Sequence, residues 1–126
     1  MFVTNAILLG ILAALGHPEL YLLWVVAWFT VNSLVTRIRS IAEHAMAPDP
    51  SDELRNTRTT LARRWERIFV APNRVNFHLE HHLLMTVPLY NLPRLHRMLR
   101  ERGALGGALV SRGYWPILEE AASKPS

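Results

Sequence analysis

The sequence predicts an all-α protein, a transmembrane helical hairpin over residues 1–45 followed by a cytoplasmic helical region over residues 46–126. Three observations point there. The apolar residues are concentrated in the first third as two runs with a polar break between them. No Lys or Arg precedes Arg37, whereas Arg37, Arg39, Arg55, Arg58, Arg63, Arg64, Arg67 and Arg74 follow in close succession. Beyond the loop that follows, apolar residues recur at helical spacing, and no alternating pattern marks a strand.

Phe2 to Gly16 is apolar except for Thr4 and Asn5, and Leu20 to Thr36 is apolar except for Thr30, Asn32, Ser33 and Thr36. A spanning helix needs about 20 residues to cross a hydrocarbon core of about 30 Å. The second run nearly reaches that, while the first covers only about 22 Å at a rise of about 1.5 Å per residue. His17-Pro18-Glu19 separates them, with Pro18 suited to the first turn of the second helix. A signal peptide is disfavoured because no basic segment precedes the first run and a second run follows at once. By the positive-inside rule, residues after 36 and the N-terminus face the cytoplasm, and the turn at Pro18 faces the other side.

The second helix continues through Arg37 to Ala45, with no breaker before Pro48, which sets His44 just outside the bilayer. Ala47 to Asp52 reads as a loop, and Asn56 to Thr60 as weakly structured. Leu61, Trp65, Ile68 and Phe69 define an amphipathic helix over 61–70 suited to a membrane interface. Pro72 opens a helix running towards Pro88; Asn91 caps another over 92–102, closed by Gly103. Gly106-Gly107 is a joint, Tyr114 to Ala122 a last helix, and Ser123 to Ser126 a frayed tail.

The net charge of +4 fits juxtamembrane arginines facing anionic lipid. No basic motif interleaved with aromatics argues for nucleic acid. The absence of cysteine excludes disulfides and thiolate metal sites, so any metal here is held by nitrogen or oxygen.

Within Asn76 to Leu83, His78, His81 and His82 form the pattern H-x-x-H-H and fall within an arc of roughly 100° on a helix. Neutral imidazole is the commonest protein metal ligand, so these three are candidate metal ligands. Glu80 falls on the opposite side of that helix, which argues against a zinc-protease arrangement. Glu43 points off beside His44. Arg74 and Met85 share the histidine face; Arg74 suits an acidic head group and Met85 an apolar substrate path, with ordinary packing as the plainer role for both. His17 reads as having no role, and His96, flanked by Arg94, Arg97 and Arg100, as a surface residue.

Pro72-Asn73-x-x-Asn76-x-His78-x-Glu80-His81-His82-Leu83, with Val87-Pro88-Leu89-Tyr90-Asn91-Leu92-Pro93-x-Leu95-His96, resembles the C-terminal part of integral-membrane fatty acid desaturases. Arg37-x-Arg39-x-x-Ala42-Glu43-His44-Ala45 is similar to the same family. The resemblance implies two iron ions held on three histidine boxes at the cytoplasmic membrane face. The reduced pair activates O2 to remove hydrogens from an acyl chain, with electrons from cytochrome b5 or a ferredoxin. It assigns His78, His81 and His82 to the last box and His44 to an additional ligand position. The implied partners are the lipid bilayer, an acyl lipid or acyl thioester substrate and the electron-donor protein. Lipid hydroxylases and carotenoid ketolases share the scaffold, so the reaction type stays open.

The first two boxes are missing from the pattern. Four histidines do not complete a shell of eight or nine, so the chain reads as a C-terminal portion that is inactive alone. A non-catalytic membrane remnant or partner subunit is the alternative.

Overall fold

The computed structural model describes residues 2–123. It is mostly helical, 61% helix with 6% strand, so the all-α expectation holds except for one small sheet. The chain divides into two compact units, one ending at Val35 and the other beginning at Thr36.

The first unit holds helix α1 (Phe2–Ala14), helix α2 (Leu20–Ala27), a π-helical turn (Trp28–Asn32) and the start of helix α3 (Ser33–His44). Gly16, at φ 81°, ends α1. Its N–H bonds to Ala13 O and the N–H of His17 to Leu12 O, a pairing that satisfies the last carbonyls and needs a left-handed residue. Pro18 lies in the turn before α2, where its carbonyl accepts from the Tyr21 N–H. The lone Asn5 in an apolar helix finds partners, since its Oδ1 accepts from Tyr21 Oη at 3.2 Å and from Trp24 Nε1 at 3.0 Å. In the π turn the Thr30 hydroxyl donates to Val26 O at 2.6 Å, one turn back along the helix. Leu20–His44 is the one helical stretch among the described residues that is long and apolar enough to cross a membrane.

The second unit carries the rest of α3, strand β1 (Arg58–Thr60), helix α4 (Arg64–Phe69), a 3-10 turn (Pro72–Arg74) and helix α5 (His78–Leu83). A second 3-10 turn (Leu89–Asn91), helix α6 (Leu92–Glu101), strand β2 (Leu109–Ser111) and helix α7 (Trp115–Ser123) complete it. Its core joins Ala42 of α3, Val70 and Ala71 after α4, and Tyr114 and Ile117 at α7. Residues 124–126, most of the expected frayed tail, lie outside the described residues; Ser123 is the last residue of α7.

The strands correct the sequence reading. Within the polar segment 56–60, Arg58–Thr60 become β1, which pairs in parallel with β2 through Arg58–Leu109, Thr59–Val110 and Thr60–Ser111. Thr59 also bridges Phe77 in antiparallel fashion, and the Thr60 N–H bonds to Asn76 O. Three residues show no readable alternation, and tertiary pairing decides their conformation.

That pairing also shortens the expected helix 72–88 to the six residues of α5. Asn73 and Arg74 take positive φ, 56° and 65°, which breaks the helix. Asn76 Nδ2 then donates to Thr60 O at 2.8 Å, which ties the chain to the strand edge before α5 begins. Arg74 therefore does not share a helix face with the histidines. The helix expected over 61–70 is likewise confined to Arg64–Phe69, because Leu61 still bonds to Ser111 at the sheet. Glu66 closes its start, accepting from the Arg63 N–H at 2.6 Å and reaching across to the Tyr114 N–H at 3.0 Å. Asn91 stands at the start of α6 but its side chain makes no capping bond. Gly103, at φ 68°, closes α6 as expected.

Candidate metal centre

His44 is the last residue of α3, and His78 is the first of α5 with His82 one turn later. The fold sets these three rings against one another. Nε2 of His78 lies 3.0 Å from Nε2 of His44 and 3.1 Å from Nε2 of His82. One ligand nitrogen from each lies within 4.8 Å of the other two. The ring centroids of His44 and His78 are 4.8 Å apart, edge to face, which keeps the nitrogens rather than the ring faces in contact.

Hydrogen bonds from two neighbouring residues of β1 hold this geometry. Arg58, buried in β1, donates from Nη1 to Ala42 O at 3.2 Å and to Ala45 O at 3.4 Å, satisfying carbonyls at the end of α3 beside His44. Thr59, the next residue of β1, donates from Oγ1 to Glu80 Oε2 at 2.6 Å. Glu80 is fully buried beneath the histidines, and its other oxygen lies 2.6 Å from His96 Nδ1, whose N–H donates. Glu80 thus points away from the metal-facing nitrogens, as its helical position predicts, and works as an anchor for α5.

His96 corrects the sequence reading. It is buried at 8% exposure rather than at the surface, because α6 turns that side chain inward onto Glu80 while its arginine neighbours stay exposed. Glu43 is a second correction. Its carboxylate does not turn away: Oε2 lies 4.0 Å from His78 Nε2, while Oε1 accepts from Arg39 Nε at 3.2 Å. Arg39 one turn earlier on α3 is the sequence signal that orients it.

His81 is not among the converged nitrogens; its ring centroid is 6.2 Å from that of His78 and 6.0 Å from that of His82. Its Nδ1 is buried without a hydrogen-bond partner among the described residues. With His78 it lines a cavity of about 430 Å³ whose other walls include Val75, Met85, Val87 and Leu89. His17 lies in the other unit, where its Nδ1 contacts Glu19 Oε1 at 3.0 Å.

The electrostatics favour neutral imidazoles. Burial pushes the His78 pKa down to about 4, with His82, His44, His81 and Arg39 adding to the effect. Burial also lowers His82, followed by His44 and His81. At neutral pH these rings therefore present lone pairs, the form that binds a metal. A proton on His78 Nε2 serves one neighbour well and leaves the other nitrogen facing it without a matched partner. A cation on the shared side would serve all three. Imidazole–metal bonds of about 2.1 Å set at right angles place their nitrogens about 3.0 Å apart, which is the separation of His78 Nε2 from His44 Nε2 and from His82 Nε2. The donor set fits a metal ion.

The chain matches the family model Fatty acid desaturase over residues 1–114 of its 126 residues. No curated protein and no solved structure matches it. The match spans most of the chain, which therefore belongs to the fatty acid desaturase family.

Proposed function

We propose that this member of the fatty acid desaturase family contributes histidine ligands to a membrane di-iron centre that takes part in O2-dependent removal of hydrogens from an acyl chain. The observation that carries the reading is the convergence of ligand nitrogens from two separate helices, with Nε2 of His44 and of His82 lying 3.0 and 3.1 Å from Nε2 of His78. We assign His44, His78 and His82, whose ligand nitrogens converge, to one ion and His81, which is not among them, to the other. Iron bound there supplies O2 activation and the oxidising equivalent for C–H cleavage, with electrons from cytochrome b5 or a ferredoxin.

The chain's own residues perform the rest. The His78 environment keeps that ring neutral and ready to ligate. The cavity walled by Val75, Met85, Val87 and Leu89, with Arg39 and Thr86 as polar members of its lining, offers a path for an acyl lipid or acyl thioester, ending against His78 and His81. Leu20–His44 would cross the bilayer, and its apolar side chains, such as Leu22, Leu23, Phe29, Val31 and Leu34, are open rather than packed in a protein core, as lipid contact requires. Residues 1–45 then form the membrane hairpin with its cytoplasmic extension. Residues 46–126 form the cytoplasmic helical region, on the side that the arginines favour.

The experiment is metal analysis together with acyl-chain profiling of membranes carrying the chain and its histidine variants. Iron that is lost with His78→Ala, and acyl-chain desaturation that depends on His78, His81 and His82 when the chain is supplied with its family's remaining histidine boxes, support the reading. Iron and desaturation that persist in the absence of these three side chains overturn it.

A further inference from the structure

We propose that Arg64, Arg67 and Arg74 form a binding pocket for the phosphate of an anionic phospholipid, seated where α4 meets the membrane interface; the proposal rests on the membrane reading above. The three arginines line a cavity of about 390 Å³ together with Ile68, Ala71 and Asn73. No carboxylate lines it, and among the described residues none of the three guanidinium groups is within ion-pair distance of one. Nε of Arg67 is buried and lacks a hydrogen-bond partner among the described residues, so this side chain carries a donor that the protein itself leaves unmatched. Arg74 reaches the cavity through a backbone at φ 65°, directly after Asn73 at φ 56°. A long side chain rarely adopts that conformation, and here the fold maintains it.

The occupant follows from what surrounds the charge. Trp65, Ile68 and Phe69 lie on one helical face and are 53%, 68% and 70% exposed. A free phosphate or a soluble anion has no use for them. A lipid surface takes the apolar side chains into its interfacial layer and presents phosphates to the neighbouring guanidinium groups, which match phosphate in planar, bidentate fashion. The same chain carries a helix fit to cross that bilayer. The site is separate from the histidine cluster, which shares none of the residues lining the cavity.

The measurement is native mass spectrometry of the full chain in a neutral detergent, scoring retained phosphatidylglycerol against phosphatidylcholine. Wild type should prefer phosphatidylglycerol by about tenfold or more. The triple variant R64Q/R67Q/R74Q should lose that preference, and R94Q/R97Q/R100Q, which removes the same charge from exposed positions of α6, should keep it. Equal retention of both lipids by wild type, or equal loss of preference in both triple variants, overturns the site. Displacement of phosphatidylglycerol by inorganic phosphate overturns the lipid assignment in favour of the free anion. A carbonate wash of the membranes separates the two readings. A chain that is washed off yet keeps its lipid preference retires the spanning helix and leaves the arginine site standing.

Discussion

Arg58 and Thr59 are neighbours on one strand, and each holds a different histidine-bearing helix. Arg58 binds the carbonyls of Ala42 and Ala45 at the end of α3, and Thr59 binds Glu80 within α5. The gap between His44 and His78 is therefore set by β1, although β1 supplies no ligand. Outer groups that fix ligand orientation commonly contribute about 10–100-fold in metal affinity. We expect Arg58→Met and Thr59→Val each to weaken cobalt(II) binding within that range, with the helical content retained. Calorimetric titration in detergent reads the affinity. Wild-type affinity in both variants would show that the strand does not position the site.

The pair Glu80 and His96 leads to a stability prediction. Removing one partner of a buried hydrogen bond costs about 1–3 kcal/mol because the other group is left buried and unmatched. Thr59 remains bonded to Glu80, so we expect His96→Ala to fall at the lower end of that range, and Glu80→Ala to cost at least as much. Denaturant titration followed by circular dichroism measures both. A His96→Ala variant within about 0.5 kcal/mol of wild type, the scale of an ordinary surface substitution, would return His96 to the surface role its arginine neighbours imply.

These contacts mark the boundary of what the sequence could reveal. The approach of His78 and His82 was legible because their spacing lies within one short helix; His44, by itself a solvated juxtamembrane histidine, entered only through the family resemblance. Closure of α6 at Gly103 was legible from a single residue. Thr59 was not, because it meets Glu80 across 21 positions of sequence, and nothing local distinguishes it from a loop threonine. His96 was misread for a related reason. Its neighbours are charged, but a helix turns adjacent residues to different sides, so Arg94 and Arg97 say little about where His96 points. The helix expected over 72–88 had sound local spacing and failed because Asn76 pairs with β1, a partner invisible in the segment itself.

The low pKa of His78 gives the metal-free chain a defined pH response. An unfolded histidine takes up its proton near about pH 6.5, whereas folded His78 resists protonation down to about 4. Between those values the unfolded state binds more protons, so stability rises with pH across the window. It is fully present above about 6.5 and is lost as the pH falls towards about 4, by at most about 3 kcal/mol. We expect the denaturation midpoint of the metal-free wild type to fall over this window more steeply than that of His78→Gln. Parallel curves for the two would remove the neutral-imidazole account of the site.

The division of labour among the histidines predicts unequal metal-binding variants. His44, His78 and His82 present converged nitrogens, so each alanine substitution should lower first-ion affinity by more than about tenfold, the loss of one first-row metal ligand. His81→Ala should leave that first ion bound, because His81 is not among the converged nitrogens. Stoichiometry by metal analysis and the cobalt(II) absorption spectrum together separate the cases. Loss of the first ion in His81→Ala would place His81 in the same shell and merge the two proposed sites into one.

Gly113 isolates a close approach from backbone strain. It has φ 86°, and a Cβ there would stand 3.1 Å from Glu66 Oε1, the atom that receives the Tyr114 N–H. Gly107 has nearly the same φ, 85°, with nothing within 4 Å of its position. Both alanine substitutions bear the left-handed penalty of about 1–2 kcal/mol. Gly113→Ala should cost more, because Glu66 must move and two backbone donors then lose their acceptor. Equal destabilisation of the two variants would mean that Glu66 yields freely and does not pin α4 to the start of α7.

The last prediction concerns the sidedness of the hairpin. Residues 2–36 carry no Lys or Arg, and eight arginines fall between positions 37 and 74. The positive-inside rule then retains the segment after Thr36 in the cytoplasm and sends the turn at His17 to the opposite face. The chain has no cysteine, so His17→Cys and Arg112→Cys each introduce a single thiol at an exposed position. A membrane-impermeant maleimide applied to intact cells should label position 17 and leave position 112 unmodified. After lysis it should label both. The outcome bears directly on the metal site, because His17 is excluded as a ligand only if a bilayer stands between it and His44. Labelling of both positions from the cytoplasmic side would withdraw the topology and make His17 a candidate ligand.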